Sequence, residues 1–322
     1  MSAEQSSTAP PRQRSIRFGA QVTKAESAAA WGELAWAIED HGFDTLSMPD
    51  HLGPQLAPLC ALSFAAARTS MIRLTMSVLD NDFRHPAVLA KEVATLDLLS
   101  SGRVELGLGA GWMTEDYDTS GIAFDSPGTR IERLAEAVTV VRGLLAPGPF
   151  SFTGQHYRIT ALEGYPRPVQ NPVPLMVGGG GRRVLSLATT VADIVAIAMQ
   201  NSTGQPFPAN ASDTARESFA MKAAIVQKVA AEHGRQPEIA VRVMACEITD
   251  NRRGATERIA QAWSVPPEVV QDSPYVLVGS PDGIVEHIQR LAAEFGVTYY
   301  VTSFPAAMQL GPVIARLKGT TV

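Results

Sequence analysis

The chain is poor in cysteine and has no long apolar run. Only Cys60 and Cys246 occur among its 322 residues, far apart and outside any CxxC pattern. This spacing excludes a disulfide framework and predicts reduced, buried thiols. No apolar stretch approaches the roughly 20 residues that a membrane helix needs. Together these absences predict a soluble, cytoplasmic protein.

Positive charge is also in deficit. The 27 Lys and Arg residues face 32 Asp and Glu residues, for a net charge of −5. Beyond the scattered Arg12, Arg14 and Arg17 there is no basic run. A nucleic acid or an anionic membrane is therefore not expected as a partner, whereas a small molecule is. Residues 1–15 are rich in Ser, Pro, Ala and Gln and lack the apolar segment of a secretory signal, so we expect a disordered tail followed by one domain, 16–322.

Several catalytic signatures are missing as well. The chain contains no GxSxG, no GxxxxGK[ST] and no HExxH motif, and its six histidines stand singly in the sequence. Serine-hydrolase chemistry and a metal site are therefore not expected.

Short β-rich runs alternate with amphipathic helical runs, which is typical of repeated β-α units around a parallel sheet. Eight strands are predicted, and that number favours a (β/α)8 TIM barrel. They are 16–20, 45–48, 73–78, 104–108, 175–177, 194–198, 240–246 and 299–302. The alternative, an open Rossmann sheet, requires GxGxxG after the first strand, but that turn reads Gly19-Ala20-Gln21-Val22-Thr23.

Two insertions interrupt the repeat, one after strand 4 and one after strand 7. The first, 112–171, contains a predicted helix over 128–145 and a hairpin-like segment over 149–160. The second covers 265–278. Neither has the features of a separate domain.

Four consecutive glycines, Gly178, Gly179, Gly180 and Gly181, follow an apolar strand and precede Arg182, Arg183 and a helical stretch. Without Cβ atoms the backbone can approach an anion, and the amides that open the next helix point towards it. This pattern predicts a phosphate-binding loop. A flexible turn that needs positive φ is the alternative.

In a (β/α)8 barrel the active site lies at the carboxyl ends of the strands. Pro49-Asp50-His51 follows the second predicted strand. An imidazole titrates near neutral pH, and a neighbouring carboxylate such as Asp50 can orient or charge it, so His51 is the best candidate for a general acid. The alternative is a helix-capping Asp beside a packed His.

Several segments, in their order and spacing, resemble the luciferase-like oxidoreductases over nearly the whole chain after Arg14. They are Gly42-Phe43-Asp44, Pro49-Asp50-His51, Ser77-Val78, Phe83-Arg84-His85-Pro86, the stretch from Gly102 to Trp112, and the stretch from Val173 to Gly181. The chain is most similar to the branch that uses the deazaflavin coenzyme F420. Monooxygenases that use FMN are the near alternative. The resemblance also suggests a homodimer.

The resemblance implies site residues. Ser77-Val78 matches a non-prolyl cis peptide in a bulge that supports the ring system of the cofactor, and His51 matches the active-site histidine. The positions that match cofactor contacts are Asp50, Asp80, Ala110, Gly111 and Glu115. Those that match the phosphate loop are Gly178 to Gly181, Arg183 and Val184.

The chain also departs from the sugar-phosphate dehydrogenases of that branch. Trp112 replaces an acidic residue after the glycine-rich strand, only Glu26 lies near the position of a glutamate past the first strand, and Asn201 and Pro274 replace phosphate-binding cations. A sugar phosphate is therefore a poor candidate substrate.

An apolar substrate wall is expected instead, from Trp112, Met113, Met199 and Phe304, although each could be core packing. The resemblance implies hydride transfer between F420 and a small or medium organic substrate with an activated C=C, C=N or C=O group. A non-catalytic cofactor-binding protein is the alternative of another class.

Overall fold

The computed structural model describes residues 13–201 and 204–322, and in them eight parallel strands close into a barrel. The ring runs β1-β2-β3-β5-β8-β9-β10-β13 and closes by pairing of β13 with β1. The strands are β1 (Arg17–Gln21), β2 (Thr45–Met48), β3 (Arg73–Met76), β4 (Leu79–Asp80), β5 (Val104–Gly109), β6 (Pro149–Thr153), β7 (Arg158–Glu163), β8 (Leu175–Gly179), β9 (Ile194–Ile197), β10 (Glu238–Val243), β11 (Ala245–Ile248), β12 (Val276–Gly279) and β13 (Val297–Ser303).

Helices surround the barrel and cover its outer face. They are α1 (Ala28–Asp40), α2 (Pro58–Ala66), α3 (Pro86–Leu99), α4 (Thr114–Ser120), α5 (Pro127–Leu145), α6 (Arg182–Val191), α7 (Arg216–Glu232), α8 (Arg252–Trp263), α9 (Pro267–Gln271), α10 (Pro281–Phe295) and α11 (Gly311–Leu317). The TIM barrel is confirmed, and the open Rossmann sheet is excluded. None of the helices in the described ranges is long and apolar enough to cross a membrane.

All eight predicted strands are present, but two of them end earlier than expected. The strand predicted over 73–78 breaks after Met76, and the two-residue β4 resumes the pairing with β5. The strand predicted over 240–246 splits because Ala245–Ile248 leaves the barrel and pairs with β12. The second insertion thus contains α9 and most of β12, and β12 pairs with β11 in a two-stranded parallel sheet beside the barrel.

The first insertion contains its predicted helix and hairpin, α5 and the β6–β7 pair. Helix α5 packs against α3, and its apolar face, including Leu134 and Val138, joins the main core. It therefore serves as the helix that follows the fourth barrel strand. Within the first insertion, the additions to the (β/α)8 plan are thus α4 and the hairpin.

The Ser77–Val78 bulge lies between β3 and β4, and its peptide bond is cis, as the resemblance implied. It packs closely against β5. A Cβ at Gly107 would lie 1.9 Å from the Met76 carbonyl oxygen, and a Cβ at Gly109 would lie 2.7 Å from a Val78 methyl group. Both contacts are too close for any side chain. The glycines of β5 are thus required by the bulge beside them.

An ion cluster closes the amino-terminal end of the barrel interior. Arg17 lies 2.7 Å from a Glu105 oxygen and 2.6 Å from a Glu238 oxygen, and Arg73 lies 2.7 Å from Glu105. Burial opposes ionisation of Glu105, but the two arginines outweigh it and lower its pKa. Above this layer lies the buried Tyr299, whose hydroxyl is 2.7 Å from the Thr45 hydroxyl. The barrel is therefore open at its carboxyl end alone.

The first described residues pair with the last ones, and neither cysteine forms a disulfide. Residues 1–12 of the predicted tail lie outside the described residues, while Arg14 and Ser15 pair with the end of the chain at Thr321 and Val322. Both cysteines are free. The prediction of a buried thiol is wrong for Cys60, which is exposed. Cys246 is half-buried.

Candidate active site

A cavity of about 1100 Å³ lies at the carboxyl ends of the barrel strands. It exceeds the usual range for a single small ligand and has room for a cofactor together with a substrate. Most of the predicted site residues line it. They are Asp50, His51, Ser77, Val78, Asp80, Ala110, Gly111, Trp112, Met113, Gly178 to Gly181, Val184 and Met199.

Three predicted site residues do not line the cavity. Glu115 is exposed in the first turn of α4. Arg183 points to the outer surface and pairs with Glu132 at 3.1 Å. Phe304 is 38% exposed, and its backbone N–H donates to the Gln21 carbonyl. The expectation that Phe304 forms part of the apolar wall has no support from this placement.

His51 is held by Asp116 and not by its sequence neighbour. Its Nδ1 lies 2.7 Å from Asp116 Oδ2, while the other oxygen of Asp116 accepts the Leu52 N–H at 2.9 Å. The ring of Trp112 contacts the imidazole edge-on, with 5.5 Å between centroids. Because Nδ1 is bonded, the tautomer is fixed and Nε2 is left for the cavity.

The expectation that Asp50 orients His51 is thus wrong. Asp50 forms an ion pair with Arg84 and accepts the Asp80 N–H at 3.2 Å. Asp50 and His51 are adjacent where β2 passes into a loop, and their side chains point in different directions. Asp116 was missed because it is 65 residues from His51. The available signal was an acidic first turn of a helix directly after the Gly111-Trp112 segment.

Asp80 forms the centre of a buried acidic network. Tyr117 donates its hydroxyl towards it at 2.9 Å, and Asp82 donates its backbone N–H at 2.9 Å. Burial raises the pKa of Asp80 to about 7, and the negative charges of Asp82 and Asp50 act in the same direction. This carboxyl group can therefore change charge near neutral pH.

The glycine loop forms a compact turn between β8 and α6. A Cβ at Gly180 would lie 2.5 Å from the backbone nitrogen of Gln200, so only glycine lets the two loops approach this closely. Gly181 is the N-cap residue of α6, and no side chain caps the helix. Its first N–H groups are thus available to an anion. The loop fits the predicted phosphate site.

Sequence reasoning missed two cavity cations, Arg130 and Arg242. Arg130 is buried, donates to the Ala110 carbonyl at 3.0 Å and stacks on Phe124. Arg242 lies near the carboxyl end of β10. Neither arginine belongs to a sequence motif, so each can be identified as a cavity residue only once the fold is known. In the described ranges, no group of three His, Cys, Asp or Glu side chains could hold a metal ion.

Comparison with known proteins identifies relatives of this chain. A sequence model of the luciferase-like monooxygenase family matches residues 13–269. An F420-dependent glucose-6-phosphate dehydrogenase of Nakamurella multipartita is 34% identical over 195 residues, which cover 58% of this chain and 56% of the relative. The chain thus spans little more than half the length of the curated relatives that it matches.

Solved structures share the fold at low sequence identity. The F420-dependent tetrahydromethanopterin reductase of Methanopyrus kandleri superposes with a TM-score of 0.75 at 20% identity, covering 95% of this chain and 100% of the other. A monooxygenase of Streptomyces bottropensis gives a TM-score of 0.72 at 21% identity, covering 94% and 98%. At these identities the likeness establishes the barrel.

Asp80 should give the stability of the protein a distinct pH dependence. Its folded-state pKa of about 7 exceeds the ordinary value of 3.8, so the folded state binds the proton more tightly than the unfolded state. Its contribution to stability is therefore complete below about pH 4 and is lost as the pH rises through 7. Because asparagine cannot ionise, the Asp80→Asn variant should gain melting temperature relative to the wild type between pH 5 and pH 8.

The control is Asp40→Asn, which removes an exposed carboxylate at the end of α1. That variant should follow the wild type at every pH. If Asp80→Asn also follows it, the buried carboxyl does not have the raised pKa described above.

Proposed function

This chain belongs to the luciferase-like monooxygenase family, and on that premise we propose that it is an F420-dependent oxidoreductase that reduces a small or medium organic substrate. The observation that carries the proposal is the arrangement around one cavity. The His51–Asp116 pair, the Ser77–Val78 bulge and the uncapped glycine loop all border it. Relatives that are named as F420-dependent dehydrogenases support the choice of coenzyme.

The bulge offers a platform for a planar ring. Val78 projects from it into the space left by Gly109 and Gly178, and Gln21 supports it by donating to the Ser77 carbonyl at 3.3 Å. A branched apolar side chain in a groove without neighbouring Cβ atoms suits the flat face of a tricyclic ring. We therefore assign Ser77, Val78, Ala110 and Gly111 to ring binding.

The acidic side arm of the coenzyme would bind at the start of α6. The uncapped amides and the positive end of the helix dipole favour an anion there. Gly178 to Gly181 and Val184 line this part of the cavity, with Arg183 at the outer rim near Glu132. The uncapped start of α6 beside glycines without Cβ atoms supports this assignment.

We assign His51 as the proton donor of the reaction. When bound in its reduced form, F420 supplies a hydride to one atom of the substrate double bond. With a proton on each ring nitrogen, His51 would give its Nε2 proton to the other atom of that bond and return to the neutral form that keeps the Nδ1 proton. Asp116 accepts the Nδ1 proton and fixes the orientation of the imidazole, so it acts as a positioning residue.

The substrate side of the cavity is mainly apolar. Trp112, Met113 and Met199 line it, and Asn201 and Pro274 provide no cation where the sugar-phosphate branch has phosphate-binding residues. We therefore do not extend the sugar-phosphate substrate of the relatives to this chain. A homodimer and a cytoplasmic location stay predictions that rest on the family likeness and on cysteine use.

The choice of coenzyme is tested by titration. The purified protein is mixed with F420 and with FMN in separate absorbance titrations, and we expect saturable binding of F420 with weak or no binding of FMN. Tight FMN binding without F420 binding would instead identify a flavin monooxygenase. Oxidation of reduced F420 in a screen of enones, imines and dehydroamino acids then separates an enzyme from a non-catalytic binding protein.

The His51→Ala substitution should lower turnover without weakening the binding of the coenzyme. General acid–base groups typically contribute about 100- to 10,000-fold to rate, and we expect a loss in this range. Asp116→Asn should cause a smaller loss, since it keeps the imidazole but removes the charge beside it. His233→Ala, on the exposed end of α7, is the matched control. Unchanged turnover in His51→Ala would remove this residue from the mechanism.

A further inference from the structure

The charged side chains of the cavity are mostly committed to one another. The pairs are Asp50 with Arg84, His51 with Asp116 and Asp125 with Arg133. Arg130 is satisfied by the backbone carbonyls of Ala110 and Asp125. In residues 13–201 and 204–322, Arg242 is the cavity cation without a carboxylate or carbonyl partner.

Arg242 is built into the rigid barrel wall. It lies on β10 with Val301 as its register partner on β13, and the preceding inward residue, Ala240, packs with Val301 in the apolar barrel interior. Within the part of the chain that the structure describes, its side chain makes one hydrogen bond, to Ser303 Oγ at 3.4 Å. The surface that it exposes lines the cavity.

The guanidinium is exposed to the cavity and has no counterion among the described residues. Packing of the surrounding barrel lowers the pKa of Arg242, and no carboxylate in residues 13–201 and 204–322 raises it again. An anion that enters the cavity can therefore pair with this cation without displacing a protein carboxylate. The planar fork of Arg242 is matched to a two-oxygen anion, which it can bind through two parallel N–H···O bonds.

Position separates this anion site from the coenzyme's phosphate. β9 lies between β10 and β8, the strand that leads to the glycine loop. At a strand spacing of about 4.8 Å, Arg242 is roughly 10 Å around the ring from that loop. A single guanidinium balances one negative charge, which suits one carboxylate group.

We propose that Arg242 binds a carboxylate of the substrate, which makes the substrate an organic monocarboxylic acid with a reducible double bond. The reducible bond rests on the proposed function, whereas the carboxylate site does not. Arg242 is then the residue that determines specificity. It anchors the acid at β10, and the apolar residues of the cavity contact the rest of the molecule.

The test uses benzoate and its neutral analogue benzamide as probes, with binding measured by ligand-observed NMR or calorimetry on the full chain without coenzyme. The wild type should bind benzoate more tightly than benzamide. In Arg242→Met the affinity for benzoate should fall about 10- to 100-fold, as expected for loss of charge-assisted hydrogen bonds, while benzamide stays within about two-fold. Arg242→Lys keeps the charge without the fork and should lose less.

The matched control is Arg253→Met, which removes an exposed arginine on α8 that pairs with Glu257. It should leave both affinities unchanged. Equal binding of benzoate and benzamide by the wild type, or unchanged benzoate binding in Arg242→Met, overturns the proposal. If Arg242→Met does not fold, Arg242→Gln takes its place with the same expected loss.

F420 binding to Arg242→Met distinguishes the two sources of an anion. An affinity within about two-fold of the wild type is expected. Weaker F420 binding with unchanged benzoate binding would assign Arg242 to the acidic arm of the coenzyme and overturn the proposal. A benzoate preference that depends on Arg242 in a protein that does not bind F420 supports the carboxylate site while it removes the proposed function.

Discussion

The close packing of the Ser77–Val78 bulge against the glycines of β5 is the constraint on which the candidate site depends. The Met76 carbonyl occupies the space of a Cβ at Gly107, and Val78 occupies the space of one at Gly109. This packing positions β4, and with β4 it positions Asp80 beside Gly111, where a Cβ would lie 2.6 Å from the Asp80 carboxylate. The floor of the cavity and its acidic network therefore have one structural origin.

The barrel divides stability and chemistry between its two ends. At the amino-terminal end, Arg17, Glu105 and Glu238 are paired and closed off by Tyr299. At the other end the charged groups face an open cavity, and one of them, Arg242, has no counterion in the described ranges. Paired charge at a sealed end contributes to the fold, whereas uncompensated charge at an open end favours a ligand.

The fold could be predicted from the sequence because its signals are local. Alternating β-rich and helical runs located the eight strands. The site could be predicted only where motifs are continuous, as in the glycine loop. The His51–Asp116 pair joins two separate loops, and adjacency pointed wrongly to Asp50. Arg242 lies inside a predicted strand, where nothing in the sequence distinguishes a cavity residue from a packed one.

The proposed function requires that the bulge and the glycine loop together hold one redox coenzyme. A crystal structure of the protein with F420 is the most direct test. We expect the ring against Val78, its phosphate at the first amides of α6, and His51 Nε2 on the side of the ring that faces the open cavity. A ring bound away from the bulge, or a phosphate held elsewhere than at α6, would contradict the claim.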